Sequence, residues 1–146
     1  MDMLKIKKLR PNAVTPTRAT NGSAGYDLSA CIDSDITIPP NGRCLIPTGI
    51  AIAIPDSGTA GFVFGRSGLG TKHGITPSNS VGVIDSDYRG ELTVGLANHS
   101  DTPYTIRNGD RIAQLVLMPV LTPQLIECEE LDETARGTGG FGSSGK

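Results

Sequence analysis

Tryptophan is absent from the sequence, and only six of its 146 residues are aromatic. The hydrophobic share of 37% still suffices for one core, and the length suits one domain, typically on the order of 100–200 residues. Cysteine is scarce: Cys31, Cys44 and Cys128 form no C-x-x-C pair and leave an odd thiol under any pairing. That pattern predicts three reduced thiols in a reducing compartment. With two histidines and no clustered ligands, a structural zinc site is not expected. No apolar run is long enough to span a bilayer, and the one near Met1–Asn12 is too short for a signal peptide. A soluble, cytoplasmic protein with no membrane partner is expected. Nor is there a basic excess: 13 Lys and Arg face 15 Asp and Glu, a net charge of −2. A general nucleic-acid binder would be basic, so direct nucleic-acid binding is not expected.

What the chain has in surplus is turn-formers. Its 19 Gly and 10 Pro make about one residue in five, where ordinary usage is roughly 12%. Such a content disfavours long helices. Turn signals recur at Pro39–Gly42, Pro55–Gly58, Tyr88–Gly90 and Asn108–Asp110, with β-branched runs between them. Strict alternation puts Ile50, Ile52 and Ile54 on one strand face, and Leu92, Val94 and Leu96 on another. The run 111–120 is apolar on both faces, which predicts a strand covered on both sides, the second cover being another subunit in a chain this small. Regular short strands imply an all-β sandwich of jelly-roll type or a distorted barrel. At most one short helix is expected, near residues 67–73.

The charge and the glycines are unevenly spread. Glu127, Glu129, Glu130, Asp132 and Glu133 hold five of the 15 acids, and without them the body is mildly positive at +3. Five of the 19 glycines lie in the last ten residues. A β domain over 1–128 and an acidic linker with a flexible, glycine-rich tail over 129–146 are therefore expected.

Two phosphate-binding patterns in that tail fail on context. Gly137–Gly142 fits G-x-G-x-x-G and Gly140–Lys146 fits most of a Walker A loop. Both need a strand before and a helix after, whereas an acidic stretch precedes them here. More is carried by Gly65-Arg66-Ser67-Gly68-Leu69, where Arg66 suits phosphate and Ser67 is a good helix N-cap. In Gly82–Glu91, read as a hairpin, Asp85 follows the apolar Val83-Ile84 and Tyr88 supplies a flat face. A β-turn accounts for Asp87 and Gly90 but leaves Asp85 as a carboxylate suited to a general base or to a sugar hydroxyl. Gln114, a lone amide in an apolar strand, needs partners. His73 and His99 read as structural.

Taken together, the chain resembles the trimeric dUTP pyrophosphatase (dUTPase) family. Five motifs stand in order: Ala24–Leu28, Gly65–Leu69, Gly82–Glu91, Gly109–Leu115 and Arg136–Gly145. The resemblance implies a jelly-roll homotrimer with active sites at subunit interfaces, hydrolysing dUTP to dUMP and diphosphate with Mg²⁺. Asp85 would activate the water attacking the α-phosphorus and lie near the 3′-OH, and Tyr88 would pack under the deoxyribose. Asn79 and the backbone of Val83 would read uracil, with Ile84 also on the substrate. Arg66, Ser67, Gly68 and Gln114 would hold phosphates, and Asp27 would support the water shell of Mg²⁺. From the tail, Arg136 would contact the γ-phosphate, Phe141 would stack on uracil, and Gly142 with Ser143 would cap the phosphates. Gly65, Gly70 and Ser144 stand where Pro, Ala and Thr are common in the family, and none of these departures removes a functional group. The resemblance also makes the acidic stretch a solvated linker. Two alternatives are a dCTP deaminase on the same jelly roll, which needs a Glu near cytosine C4, and a binding or structural module.

Overall fold

A computed structural model describes residues 3–140. Among these residues ten strands and one helix follow one another: β1 (Lys5–Lys8), β2 (Tyr26–Ser29), β3 (Ile36–Ile38), β4 (Arg43–Ala53), β5 (Thr59–Phe64), α1 (Ser67–His73), β6 (Ile75–Pro77), β7 (Gly82–Ile84), β8 (Glu91–Asn98), β9 (Tyr104–Ile106) and β10 (Arg111–Pro119). Two four-stranded sheets form, in the orders β1-β4-β8-β6 and β2-β10-β5-β7, with a ribbon of β3 and β9 beside them. Every pairing is antiparallel. The architecture is jelly-roll-like, and neither sheet closes into a barrel. Among the described residues no helix is long and apolar enough to cross a membrane.

Alternation decides which side chains meet. Ile50, Ile52 and Ile54 are buried, as are Leu92, Val94 and Leu96, and they join Leu28, Val63 and Leu115 of the second sheet in one core. Burial of each such side chain contributes roughly 1.5–3 kcal/mol. Among the described residues Ser29, Thr48 and Asn98 are the buried polar side chains, and the last two tie elements together. Thr48 donates from Oγ1 to the Leu92 carbonyl at 2.6 Å. Asn98 donates from Nδ2 to the carbonyls of Ile38 and Thr102, at 3.0 and 2.8 Å, and its Oδ1 accepts from Ser100. Asn98 thereby ties the β3 ribbon to the end of β8.

The doubly apolar run is β10, the strand between β2 and β5. Its inward residues Ile112, Ala113 and Leu115 are buried, but Val116 and Met118 are only half-buried. Register places Val116 opposite Phe62, Met118 opposite Ala60 and Phe62 opposite Val83. The outer face of this sheet is thus an apolar stripe, with the Phe62 and Phe64 rings 6.4 Å apart and Val83 60% exposed.

Two local expectations are corrected. Ser67 is not the helix N-cap: that position is Arg66, extended at φ −98°, ψ 132°, with no side-chain cap hydrogen bond. Ser67 instead begins the helix, because Arg66 is held by partners elsewhere, and the helix closes on Gly74 at φ +67°. Nor is Gly82–Glu91 a hairpin. β7 pairs with β5 and β8 with β4 and β6, so residues 85–90 carry the chain from one sheet to the other.

Candidate active site

Two clusters form at opposite ends of the second sheet. The first is an open cleft of about 390 Å³ lined by Ser23, Gly25, Asp27, Arg66, Ser67, Gly68 and Gln114, with Ala19 and Ala24. Asp27, Gln114 and Phe64 lie in one row across β2, β10 and β5, which puts the carboxylate and the amide on the same outer face. Asp27 accepts from Arg66 Nε at 3.0 Å through Oδ1 and from Arg111 Nη1 at 3.2 Å through Oδ2. Arg66 Nη1 also donates to the Arg111 carbonyl at 3.3 Å.

Gln114 finds a protein partner: its Nε2 donates to the Gly65 carbonyl at 2.9 Å. That bond holds the turn from which Arg66, Ser67 and Gly68 project. Nothing lies within 4 Å of where a Gly68 side chain would start, so the backbone there is open to a ligand. The first turn of a helix also leaves its N–H groups free. With a guanidinium, free N–H groups and the Ser67 hydroxyl converging, the cleft is suited to an anion.

The second cluster surrounds the crossover after β7. Val83, Ile84, Asp85, Tyr88, Glu91, Leu92 and Thr93 line a smaller pocket of about 200 Å³. Asp85 is exposed at its rim, and the Tyr88 N–H donates to the Asp85 carbonyl at 3.1 Å, closing a turn. Tyr88 donates from Oη to the Glu91 carbonyl at 3.0 Å, and its ring lies so close over Gly90 that any side chain there would strike Oη. The ring is thereby fixed with a face left open. Asn79 sits in the turn before β7, next to Ser80, whose φ of 64° is left-handed, and Asn79 Nδ2 lies beside Gly82.

The two clusters do not meet within one chain. Ile84 is opposite Gly61, so Asp85 falls beside Ala60, six residues before Arg66. At roughly 3.3 Å per residue that is about 20 Å. Arg136 is remote from both in its contacts: its Nε donates to the Gly139 carbonyl at 2.8 Å in a local turn. Phe141, Gly142 and Ser143 lie outside the described residues.

The chain matches the dUTPase family model over residues 11–145. A deoxyuridine 5′-triphosphate nucleotidohydrolase of Coxiella burnetii is 52% identical over 145 residues, covering 98% of this chain and 95% of its own. One from Arabidopsis thaliana is 51% identical over 141 residues, covering 97% and 82%.

The chain belongs to the dUTPase family.

Solved dUTPases share its fold. The Staphylococcus bacteriophage 80alpha dUTPase with dUpNHpp superposes with a TM-score of 0.90 at 31% identity, over all of both chains. A dUTPase from phage phi11 of S. aureus, whose structure details the coordination of a structural Mg(II) ion, gives 0.81 at 27% identity, covering 90% of this chain and all of that one.

As a dUTPase, the chain has few donors for a resident metal: among the described residues no three His, Cys, Asp or Glu side chains cluster. Asp27 is the one acid lining the larger cleft, and each of its oxygens already accepts from a guanidinium. It fits the outer hydration shell of a nucleotide-bound ion and does not fit a direct ligand. Arg111 is the residue that sequence reasoning passed over. Its signal was present: two consecutive apolar residues, Ile112 and Ala113, between polar Arg111 and Gln114 break the alternation of a strand.

Proposed function

We propose that this dUTPase hydrolyses dUTP to dUMP and diphosphate at sites assembled from more than one subunit. The observation that carries the reading is the division of labour between the two clusters. Among the described residues, the one carboxylate in the anion cleft of Arg66, Ser67, Gly68 and Gln114 is Asp27, already engaged by two guanidiniums, and no cation lines the pocket of Asp85 and Tyr88. Each is half of a site. A homotrimer that buries the apolar outer face of β10 and β5 supplies the missing half, because Asp27 and Gln114 lie on that same face.

In this reading Arg66, Ser67, Gly68 and Gln114 hold the phosphates. Asp85 takes the proton of the water that attacks the α-phosphorus, and diphosphate leaves. A positioned carboxylate of this kind contributes typically 10²–10⁴-fold. Tyr88 floors the deoxyribose, leaving no room for a 2′-OH. Asn79, Val83 and Ile84 enclose the uracil. The tail orders over bound nucleotide, with Arg136 on the γ-phosphate, Phe141 on the base, and Gly142 and Ser143 over the phosphates, excluding water from the closed site. Asp27 would orient the water shell of a Mg²⁺ ion held mainly by the phosphates and waters, and when bound such an ion would supply charge neutralisation on the triphosphate.

The deciding experiment is diphosphate release from each deoxynucleoside triphosphate, with and without Mg²⁺. Release from dUTP alone, dependent on Mg²⁺, is expected. Ammonia from dCTP would make the protein a deaminase, and no turnover of any nucleotide would make it a binding module.

A further inference from the structure

We propose that Arg111 is a positioning residue of the phosphate cleft: through Asp27 it fixes the Arg66 guanidinium and keeps the cleft positively charged. This rests on the reading of that cleft as the site of the nucleotide phosphates.

The placement of Arg111 is a deliberate feature of β10. Residues three apart on a regular strand point to opposite faces, yet Arg111 and Gln114 both serve the outer face that carries Asp27. The pairing of β10 with β2 shifts register between Arg111 and Ala113. This bulge is why Ile112 and Ala113, consecutive in sequence, are both in the core at 1% and 0% exposure. Bulges of this kind re-aim a side chain beside active sites. Here the bulge turns Arg111 outward to Asp27 and frees its carbonyl for Arg66 Nη1.

Arg111 acts at one remove. It does not line the cleft that Ser67, Gly68 and Gln114 share with Arg66 and Asp27; it lines a separate pocket behind Arg66, with Tyr104 and Asp110. An Arg66–Asp27 pair by itself is neutral and offers a polyanion little attraction. With Arg111 on the second carboxylate oxygen, the ion-paired trio of Asp27, Arg66 and Arg111 carries one net positive charge, Asp110 lying behind it and away from the cleft lining. Arg66 meanwhile spends Nε on Asp27 and one Nη1 bond on the Arg111 carbonyl, and among the described residues Nη2 has no partner.

The test is a double-mutant cycle. Arg111→Met should raise KM for dUTP by about five- to tenfold, the order of one lost charge-assisted contact at a half-exposed position, with kcat changed by less than about twofold. The affinity for inorganic tripolyphosphate, measured by calorimetry, should fall by the same factor. In an Asp27→Asn background, Arg111→Met should add almost nothing, because its effect passes through the carboxylate. Arg111→Lys, which keeps the charge, should recover part of the loss and also serves if Arg111→Met fails to fold. Additive effects would mean that Arg111 touches phosphate directly, and an unchanged KM would mean that it has no such role; either overturns the proposal. So would a KM in both variants that follows only their loss of thermal stability. If the wild-type protein leaves dUTP intact, the nucleotide reading fails, and the tripolyphosphate titration still decides the role of Arg111.

Discussion

Gly25 and Gln114 share one volume: a side chain begun on Gly25 would stand 2.6 Å from Gln114 Oε1 and 3.2 Å from its Cβ. The Gln114 amide occupies the space that glycine leaves, and from there it holds the Gly65 carbonyl. Gly25→Ala should displace the amide and release the turn that carries Arg66. We expect kcat/KM for dUTP to fall at least about tenfold, with overpacking costing about 1–3 kcal/mol. Steady-state kinetics beside a denaturant titration checks this; wild-type kinetics would mean that the turn stands without Gln114.

The separation of Asp85 from Arg66 along β5 leads to a subunit-mixing experiment. Asp85→Asn alone should cut turnover roughly 10²–10⁴-fold, and Arg66→Gln should cripple phosphate binding. If every site takes Asp85 from one subunit and Arg66 from the next, each mixed trimer regains one intact site. Refolding the two variants together at equal amounts should then restore about a quarter of wild-type activity by random assortment around a three-fold axis. Activity no better than that of the separate variants would place both residues in one subunit's site.

The half-buried outer row of Val116, Met118 and Phe62 is the surface that subunits are expected to cover. Met118→Glu puts a charge on it, and a buried unpaired carboxylate costs several kcal/mol. Sedimentation should show monomers with retained β-sheet circular dichroism and little hydrolysis. A trimer that survives this change would direct attention to another face.

Removing residues 136–146 should leave the trimer assembled, since the described part of that segment hydrogen-bonds only locally, to Thr134 and within itself, while hydrolysis falls by roughly a hundredfold or more through loss of closure. Kinetics unchanged by the deletion would dismiss the tail as a lid.

Asn98 is a structural prediction. Asn98→Ala strips partners from the Ile38 and Thr102 carbonyls and from Ser100 in a site with 1% exposure. Such a loss should lower stability by about 2–4 kcal/mol, seen as a lower denaturation midpoint. A midpoint within error of wild type would show that water replaces the amide.

Some of this was written in the order of residues alone. Period-two alternation marked Ile50, Ile52 and Ile54 and the β8 face, because a pleated strand exposes every second side chain to the core whatever its neighbours are. A short helix was expected near residues 67–73, where α1 stands, and the motif residues stood out by type. The N-cap was misplaced because Arg66 is fixed by Asp27 and the Arg111 carbonyl, groups 39 and 45 residues away. The supposed hairpin was a crossing between sheets because β7 prefers β5 as a partner, and sequence proximity carries no information on that choice. Arg111 was overlooked for the same reason: a bulge exists only relative to a paired strand. Local periodicity, being set by the backbone, thus determined the elements and the core. Which functional groups meet, and that Asp85 and Arg66 do not meet in one chain, was decided by strand pairing, since only the folded sheet sets distances between residues far apart in sequence.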